Sequence, residues 1–169
     1  VNRPLRVFLA VVVPLAATVA ISLPTYAMRN PGGSGVALCR SAALNRTTST
    51  DKPAYARGAP VRVSTSVTNA SRRACAVDIH ACVSATVTNA QARVVWSAVP
   101  FNALCAMYIV HETLAPGQSV SRSWTWDQHV CILIGKCPGA EVAAGRYVAQ
   151  GHWGGGIGDA SPTAFTIKP

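Results

Sequence analysis

Six cysteines, at positions 39, 75, 82, 105, 131 and 137, are the residues of this 169-residue sequence whose chemistry is most constrained. An even number of thiols in one small exported domain reads as a disulfide framework. Cys39, Cys75, Cys82, Cys105, Cys131 and Cys137 are therefore all expected to be oxidised. Sequence distance favours short loops across turns, pairing 75 with 82 and 131 with 137. Cys39 and Cys105 would then tie the preceding linker to the domain. Two histidines sit two residues before cysteines, in His80-Ala81-Cys82 and His129-Val130-Cys131. On strands, i and i+2 share a face, so two such pairs have the donor types for copper or zinc. An oxidised cysteine has no thiolate to offer a metal. The expectation is no metal and no cofactor, with each histidine solvated at a strand end. His111 and His152 have no partner at a ligand spacing.

The search for a reaction ends the same way. Gly151-His152-Trp153-Gly154-Gly155-Gly156-Ile157-Gly158-Asp159 has the glycines of a phosphate-binding loop but neither its Lys-Ser/Thr nor a following helix. It is expected to be a flexible hairpin connection. No Gly-x-Ser-x-Gly or His-Glu-x-x-His occurs, and there are six carboxylates in all. Asp127, lacking a second carboxylate, reads as a turn cap rather than a catalytic acid. No catalytic residue and no small-molecule substrate are expected, so the protein is read as a non-enzyme.

Those residues must be positioned by strands. Val61, Val63, Thr65 and Val67 alternate with Arg62, Ser64, Ser66 and Thr68, the period of a half-buried strand. Cys82 to Thr88 alternates likewise, breaks at Asn89-Ala90-Gln91-Ala92 and resumes over Arg93 to Ser97, a hairpin signal. Leu114-Ala115-Pro116-Gly117-Gln118 has proline and glycine where a type II turn needs them. It feeds a strand over Ser119 to Trp126, and two more are expected at Gly145–Ala149 and Thr163–Ile167. Short strands between turn signals, with no sustained helical period after residue 30, predict an all-β antiparallel sandwich. Trp96, Trp124 and Tyr147 lie in alternating strands and are expected in its core. Gly145-Arg146-Tyr147 suggests the tyrosine corner of immunoglobulin-like sandwiches.

Six segments arrive in an order that resembles a known family. They are Asp51-Lys52-Pro53-Ala54-Tyr55-Ala56-Arg57-Gly58-Ala59-Pro60-Val61, Val67-Thr68-Asn69, Val95-Trp96-Ser97, Leu114-Ala115-Pro116-Gly117, Trp124-Thr125-Trp126-Asp127 and Gly145-Arg146-Tyr147. Over about residues 50 to 167 the chain is similar to the intracellular proteinase inhibitor (BsuPI-like) domain family. It looks most like the exported, cysteine-bearing kind found in mycobacteria and other high-GC bacteria. The resemblance implies an immunoglobulin-like β-sandwich. Its residues are strand and turn residues, so it carries over a fold and not an activity.

Compartment follows from the first 27 residues. Arg3 and Arg6 precede an uncharged run, Val7 to Leu23, which ends in Pro24-Thr25-Tyr26-Ala27. That is the pattern of a secretory signal peptide. An uncleaved membrane anchor is the alternative, although a helix over Val7–Leu23 spans about 26 Å against a ~30 Å hydrocarbon core. Either way the remainder is exported, whether secreted or held at the cytoplasmic membrane by this N-terminal helix. The expected organisation is a signal or anchor over 1–27, a linker over 28–46 and the sandwich over 47–169.

The net charge of +9 suits anionic lipid or an acidic envelope polymer. Export and the core-like placement of the aromatic residues argue against nucleic acid. The favoured function is a protein-binding or structural accessory module of the cell envelope, with another envelope or membrane protein as partner. A proteinase inhibitor acting through an exposed loop is the alternative, and a metal-handling protein a distant one. The candidate loops are Ala98 to Glu112 and Gly154 to Asp159; the best segment is Ala98 to Tyr108, where Phe101, Leu104, Met107 and Tyr108 are apolar anchors outside the alternating strands, Pro100 stiffens the chain and Cys105 can tether it.

Overall fold

The computed structural model describes residues 35–101, 103–104, 108–154 and 156–169. The helix expected over 1–27 lies outside these residues, as do Cys105 and Met107. Apart from a 3-10 turn at Ser41–Ala43, the regular structure described is all β. The strands are β1 (Leu44–Thr50), β2 (Ala54–Tyr55), β3 (Val61–Asn69), β4 (Cys75–His80), β5 (Ser84–Asn89), β6 (Val94–Ser97), β7 (Ile109–Leu114), β8 (Ser119–Trp126), β9 (Gly145–His152) and β10 (Thr163–Ile167). They form three sheets, ordered β1-β3-β8, β2-β10-β9-β5-β6 and β4-β7. Only the short β2–β10 pair among these is parallel.

Local chemistry accounts for the strands that alternate. In β3, Val61, Val63, Thr65 and Val67 are buried while Arg62, Ser64, Ser66 and Thr68 face outward. The β7–β8 connection is the expected turn: Gly117 has φ +77° and the Gln118 N–H donates to Ala115 O at 3.0 Å. The β5–β6 hairpin is held by the Asn89 carboxamide oxygen, which accepts from the N–H groups of Gln91 and Arg93.

Apolar residues gather in two clusters. In the first, Val61, Val63 and Trp126 of the β1-β3-β8 sheet meet Ala85, Val87, Trp96, Tyr147, Ala149 and Phe165 of the five-stranded sheet. The second joins Leu44, Val67 and Val120 to Val77 and Ile79 of β4, Leu114 of β7, and Trp153, Ile157 and Ala160 beyond β9. Trp96 and Tyr147 are buried. Trp124 is only half-buried, packed against both clusters on the edge strand β8, without the enclosure by Trp96, Tyr147 and Phe165 that covers Trp126. Trp126 and Trp153 are the fully buried tryptophans instead.

Trp153 also corrects the reading of the glycine-rich stretch as a flexible connection. Its indole N–H donates to Thr65 Oγ1 at 2.9 Å, and Ile157 is buried beside it. Gly151 permits this approach: a Cβ there would stand 2.2 Å from Thr65 Oγ1. No side chain fits between β9 and β3 at that point.

Tyr147 donates its hydroxyl to Ala143 O at 2.6 Å. Burial pushes the phenol above its ordinary pKa, so it remains a donor throughout the physiological range. Tyr147→Phe keeps the ring packing but leaves that carbonyl unpaired. The expected loss is about 1 kcal/mol in denaturant unfolding, and an unchanged midpoint would show that the bond contributes nothing.

Cys131 is bonded to Cys137, as the spacing suggested, whereas Cys75 is bonded to Cys39 and not to Cys82. Cys82 is also oxidised. The cause is lateral pairing. Leu38 lies opposite Ala76 in a parallel bridge, with Cys39 N–H donating to Ala76 O and Ala76 N–H to Ala37 O. This segment, the 3-10 turn and the first three residues of β1 fall within residues 28–46, so much of the expected linker belongs to the folded body. Each of these disulfides fastens a segment that closes a sheet edge. Cys39 holds 37–39 along β4, and Cys137 holds Cys131, which exchanges hydrogen bonds with Val95 and Ser97 of β6. Two structural disulfides indicate an oxidising, extracytoplasmic environment.

Candidate functional site

The segment after β6 is anchored before it becomes exposed. Ala98 N–H donates to Ala85 O, Phe101 N–H to Ile132 O, and Ala103 N–H to Pro100 O across a tight turn. At its far end the Tyr108 carbonyl accepts from Ala81 N–H. Three large apolar side chains of this segment face solvent: Phe101 is 63% exposed, Leu104 102% and Tyr108 59%. Met107, the fourth anchor, lies outside the described residues. Exposure continues into β7, where Ile109 is 46% and Val110 38% exposed.

Beneath Val99–Phe101 lies a groove of about 570 Å³ on the outer face of the five-stranded sheet. Its floor is polar, made by Ser84, Thr86 and Thr88 of β5 and Gln150 and His152 of β9. His152 is held at both ring nitrogens, with Nδ1 2.8 Å from Asp159 and Nε2 2.9 Å from Thr86 Oγ1. The carboxylate can only accept, so Nδ1–H donates to Asp159, and Nε2 pairs with the threonine hydroxyl, which can act as donor or acceptor. Asp159 is well exposed, so the chain of bonds pins the 153–159 hairpin to β5 under solvent screening.

Two of the other histidines lie beside carboxylates as well. His111 Nδ1 lies 2.7 Å from Asp78 across the β4–β7 ladder. His129 Nδ1 lies 3.6 Å from the Asp127 carboxylate, whose other oxygen accepts from His129 N–H as a turn cap. The two His-x-Cys pairs are occupied otherwise, since Cys82 and Cys131 are both oxidised. Neither His111 nor His152 could be matched to its carboxylate from sequence, because strand pairing and a folded-back hairpin create both contacts.

Part of the arginine surplus is structural. Arg46 donates to the Ile157 carbonyl and to Ser41 Oγ, and Arg57 pairs with Glu141 at 3.2 Å. Asn69, the first residue of a glycosylation-like triplet, is buried, donating to Leu114 O and Arg73 O and accepting from Ser71 N–H.

No family model matches the chain, and no curated protein matches it. Among solved structures it is similar to a β-glucosidase from Erythrobacter marinus, with 16% identity and a TM-score of 0.43 over 74% of this chain and 15% of that one. A β-glucosidase from Listeria innocua in complex with isofagomine gives 10% identity and 0.43 over 73% and 16%. An alkylpurine DNA glycosylase from Pseudomonas fluorescens bound to DNA gives 10% and 0.42 over 75% and 31%. The chain thus spans less than a third of each of these proteins, and likeness at this level assigns nothing to it.

Proposed function

We propose that this chain is an exported immunoglobulin-like β-sandwich, of the kind resembling the BsuPI-like domains. In this reading it acts without catalysis, as a protein-binding or structural module of the cell envelope. An N-terminal signal or anchor delivers it, and its partner is another envelope or membrane protein. Exposed arginines favour a location near anionic lipid or polymer. The observation that supports binding is the segment carrying Phe101, Leu104 and Tyr108, apolar anchors exposed on a backbone tied at both ends. Large side chains next to hydrogen-bonded backbone, as at Phe101 and Tyr108, lose less freedom on binding than those on a free chain. The corner bond of Tyr147 supports the immunoglobulin-like assignment.

Site-specific photo-crosslinking in cells that export the protein tests this reading. Probes at Phe101 and Leu104 are expected to trap one discrete envelope protein, and a probe at Ser66 on the opposite outer sheet face to trap none. Equal or absent trapping at all three positions would remove the binding segment from consideration. Tight, stoichiometric inhibition of a purified protease, lost in Phe101→Ala/Tyr108→Ala, would replace it with the inhibitor reading.

A further inference from the structure

A hydroxyl becomes a nucleophile when a base lies within hydrogen-bond reach and a third group orients that base. Three histidines here have a carboxylate beside Nδ1: His111, His129 and His152. Among the described residues, His152 is the one of these that also meets a hydroxyl. Thr86 Oγ1 lies 2.9 Å from its Nε2, and Asp159 Oδ1 lies 2.8 Å from its Nδ1. With the neutral ring's proton on Nδ1, facing the carboxylate, Nε2 carries the lone pair to which the Thr86 O–H donates. The return from β9 is fixed by other contacts as well: a backbone bridge between His152 and Asp159, Ala160 N–H donating to Gly151 O, and buried Trp153 and Ile157. The hydroxyl, imidazole and carboxylate are thus in line at a place where the fold has no need of a further clasp.

Thr86 and His152 both line the groove of about 570 Å³, so the pair is open to a small molecule. The lining selects the class of reaction. Val94, Val99, Pro100 and Phe101 make an apolar wall, and no lysine or arginine is among the described lining residues. A phosphoryl group would find no cation there, whereas the wall suits the hydrocarbon part of a neutral ester. Gln150 stands directly opposite Thr86 in the β5–β9 ladder, where Cβ atoms are about 5 Å apart. Its carboxamide nitrogen has two protons, one of which goes to Ala160 O at 3.5 Å. The second is a donor for charge developing on a carbonyl oxygen above Thr86.

We propose that Thr86 is a nucleophile that takes a short acyl group from a neutral ester bound in this groove. Thr86 Oγ1 bonds to the carbonyl carbon while its proton passes to His152 Nε2, and Gln150 donates to the carbonyl oxygen as that oxygen gains charge. The bond from the same carbon to the alkoxy oxygen then breaks, and the imidazolium returns the proton to the departing oxygen. The products are the acyl ester of Thr86 and one free alcohol, with no change of oxidation state. Asp159 touches no reacting atom and is a positioning residue, fixing the tautomer and orientation of the ring. Acylation consumes the one Thr86 hydroxyl of the chain, so it modifies a binding module and requires no turnover. It goes beyond the binding role and does not depend on whether Phe101 traps a partner.

Incubating the exported protein recovered from cells with p-nitrophenyl butyrate tests this. A burst of about one equivalent of nitrophenol per chain is expected, and peptide mass mapping should place a single butyryl group on Thr86. Thr86→Val, close to isosteric, should abolish that label, and Thr86→Ser should retain it. His152→Gln should slow labelling at least about 100-fold. Asp159→Asn should slow it by about tenfold or more at an unchanged melting temperature, and Asp159→Glu should recover most of the rate. A contact that only braced the hairpin would move the melting temperature and leave the rate alone. Mapping on the unaltered protein decides the matter even where a variant is unstable. Protein that stays unlabelled, a label on Ser84, Ser97 or lysines in place of Thr86, or a rate indifferent to His152→Gln overturns the proposal.

Discussion

Trp126→Ala is expected to cost about 3–5 kcal/mol in denaturant unfolding, a large part of the stability of a domain this size. The side chain is fully buried, and its ring centroid lies 6.3 Å from Trp96, 5.8 Å from Tyr147 and 6.3 Å from Phe165. Removing it deprives three aromatic neighbours of their common contact and opens a cavity between sheets that strands on both sides keep from collapsing. Its indole N–H also donates to His129 O at 2.7 Å, so truncation leaves a carbonyl without its donor. Trp126→Phe should recover most of the packing and none of that bond. Trp124→Ala should cost less than Trp126→Ala, since Trp124 is already half solvated. If Trp124→Ala proved the more damaging, the assignment of inward and marginal positions on β8 would be wrong.

Replacing both Cys39 and Cys75 with serine should cost about 3–4 kcal/mol, and replacing Cys131 and Cys137 about 2 kcal/mol. The ranking follows from sequence separation: 36 residues for the first bridge and 6 for the second. The longer closed loop restricts the unfolded chain more. Losing the first bridge has a local consequence as well, since residues 37–39 are then held to β4 by hydrogen bonds alone. The Cys39 and Ala76 positions should lose amide protection ahead of global unfolding. Non-reducing peptide mapping of the parent protein comes first, and recovery of a peptide joining Cys75 to Cys82 would contradict the structure outright. A greater loss from the 131–137 variant would mean that strain or residual unfolded structure outweighs chain entropy here.

Strands covered on one face were legible from residue order, because side chains alternate sides along a strand and burial of one side imposes a period on the sequence. That is why β3, β5, β8, β9 and β10, the turn at 115–118 and the hairpin at Asn89 could be read directly. β7 is exposed on both faces over most of its length. β4 is buried on both at its start, and β1 is polar at most positions. None has one wet side and one dry side throughout, so none shows the period.

Partnerships across strands were beyond reach for a related reason. Residue order ranks contacts by chain distance, which favoured Cys82 for Cys75 and no carboxylate for His111. Register ranks them by lateral neighbourhood, which placed Cys39 beside Cys75 and Asp78 beside His111. The same holds for Trp153, whose glycine-rich surroundings suggest a loose loop until β9 lies against Thr65 and the indole finds its acceptor. Thus composition, strand periodicity and the expectation of oxidised cysteines were intrinsic to the chain. Which cysteines joined and which tryptophans were fully buried depended on how the sheets paired, since those contacts exist only after distant segments have been brought side by side.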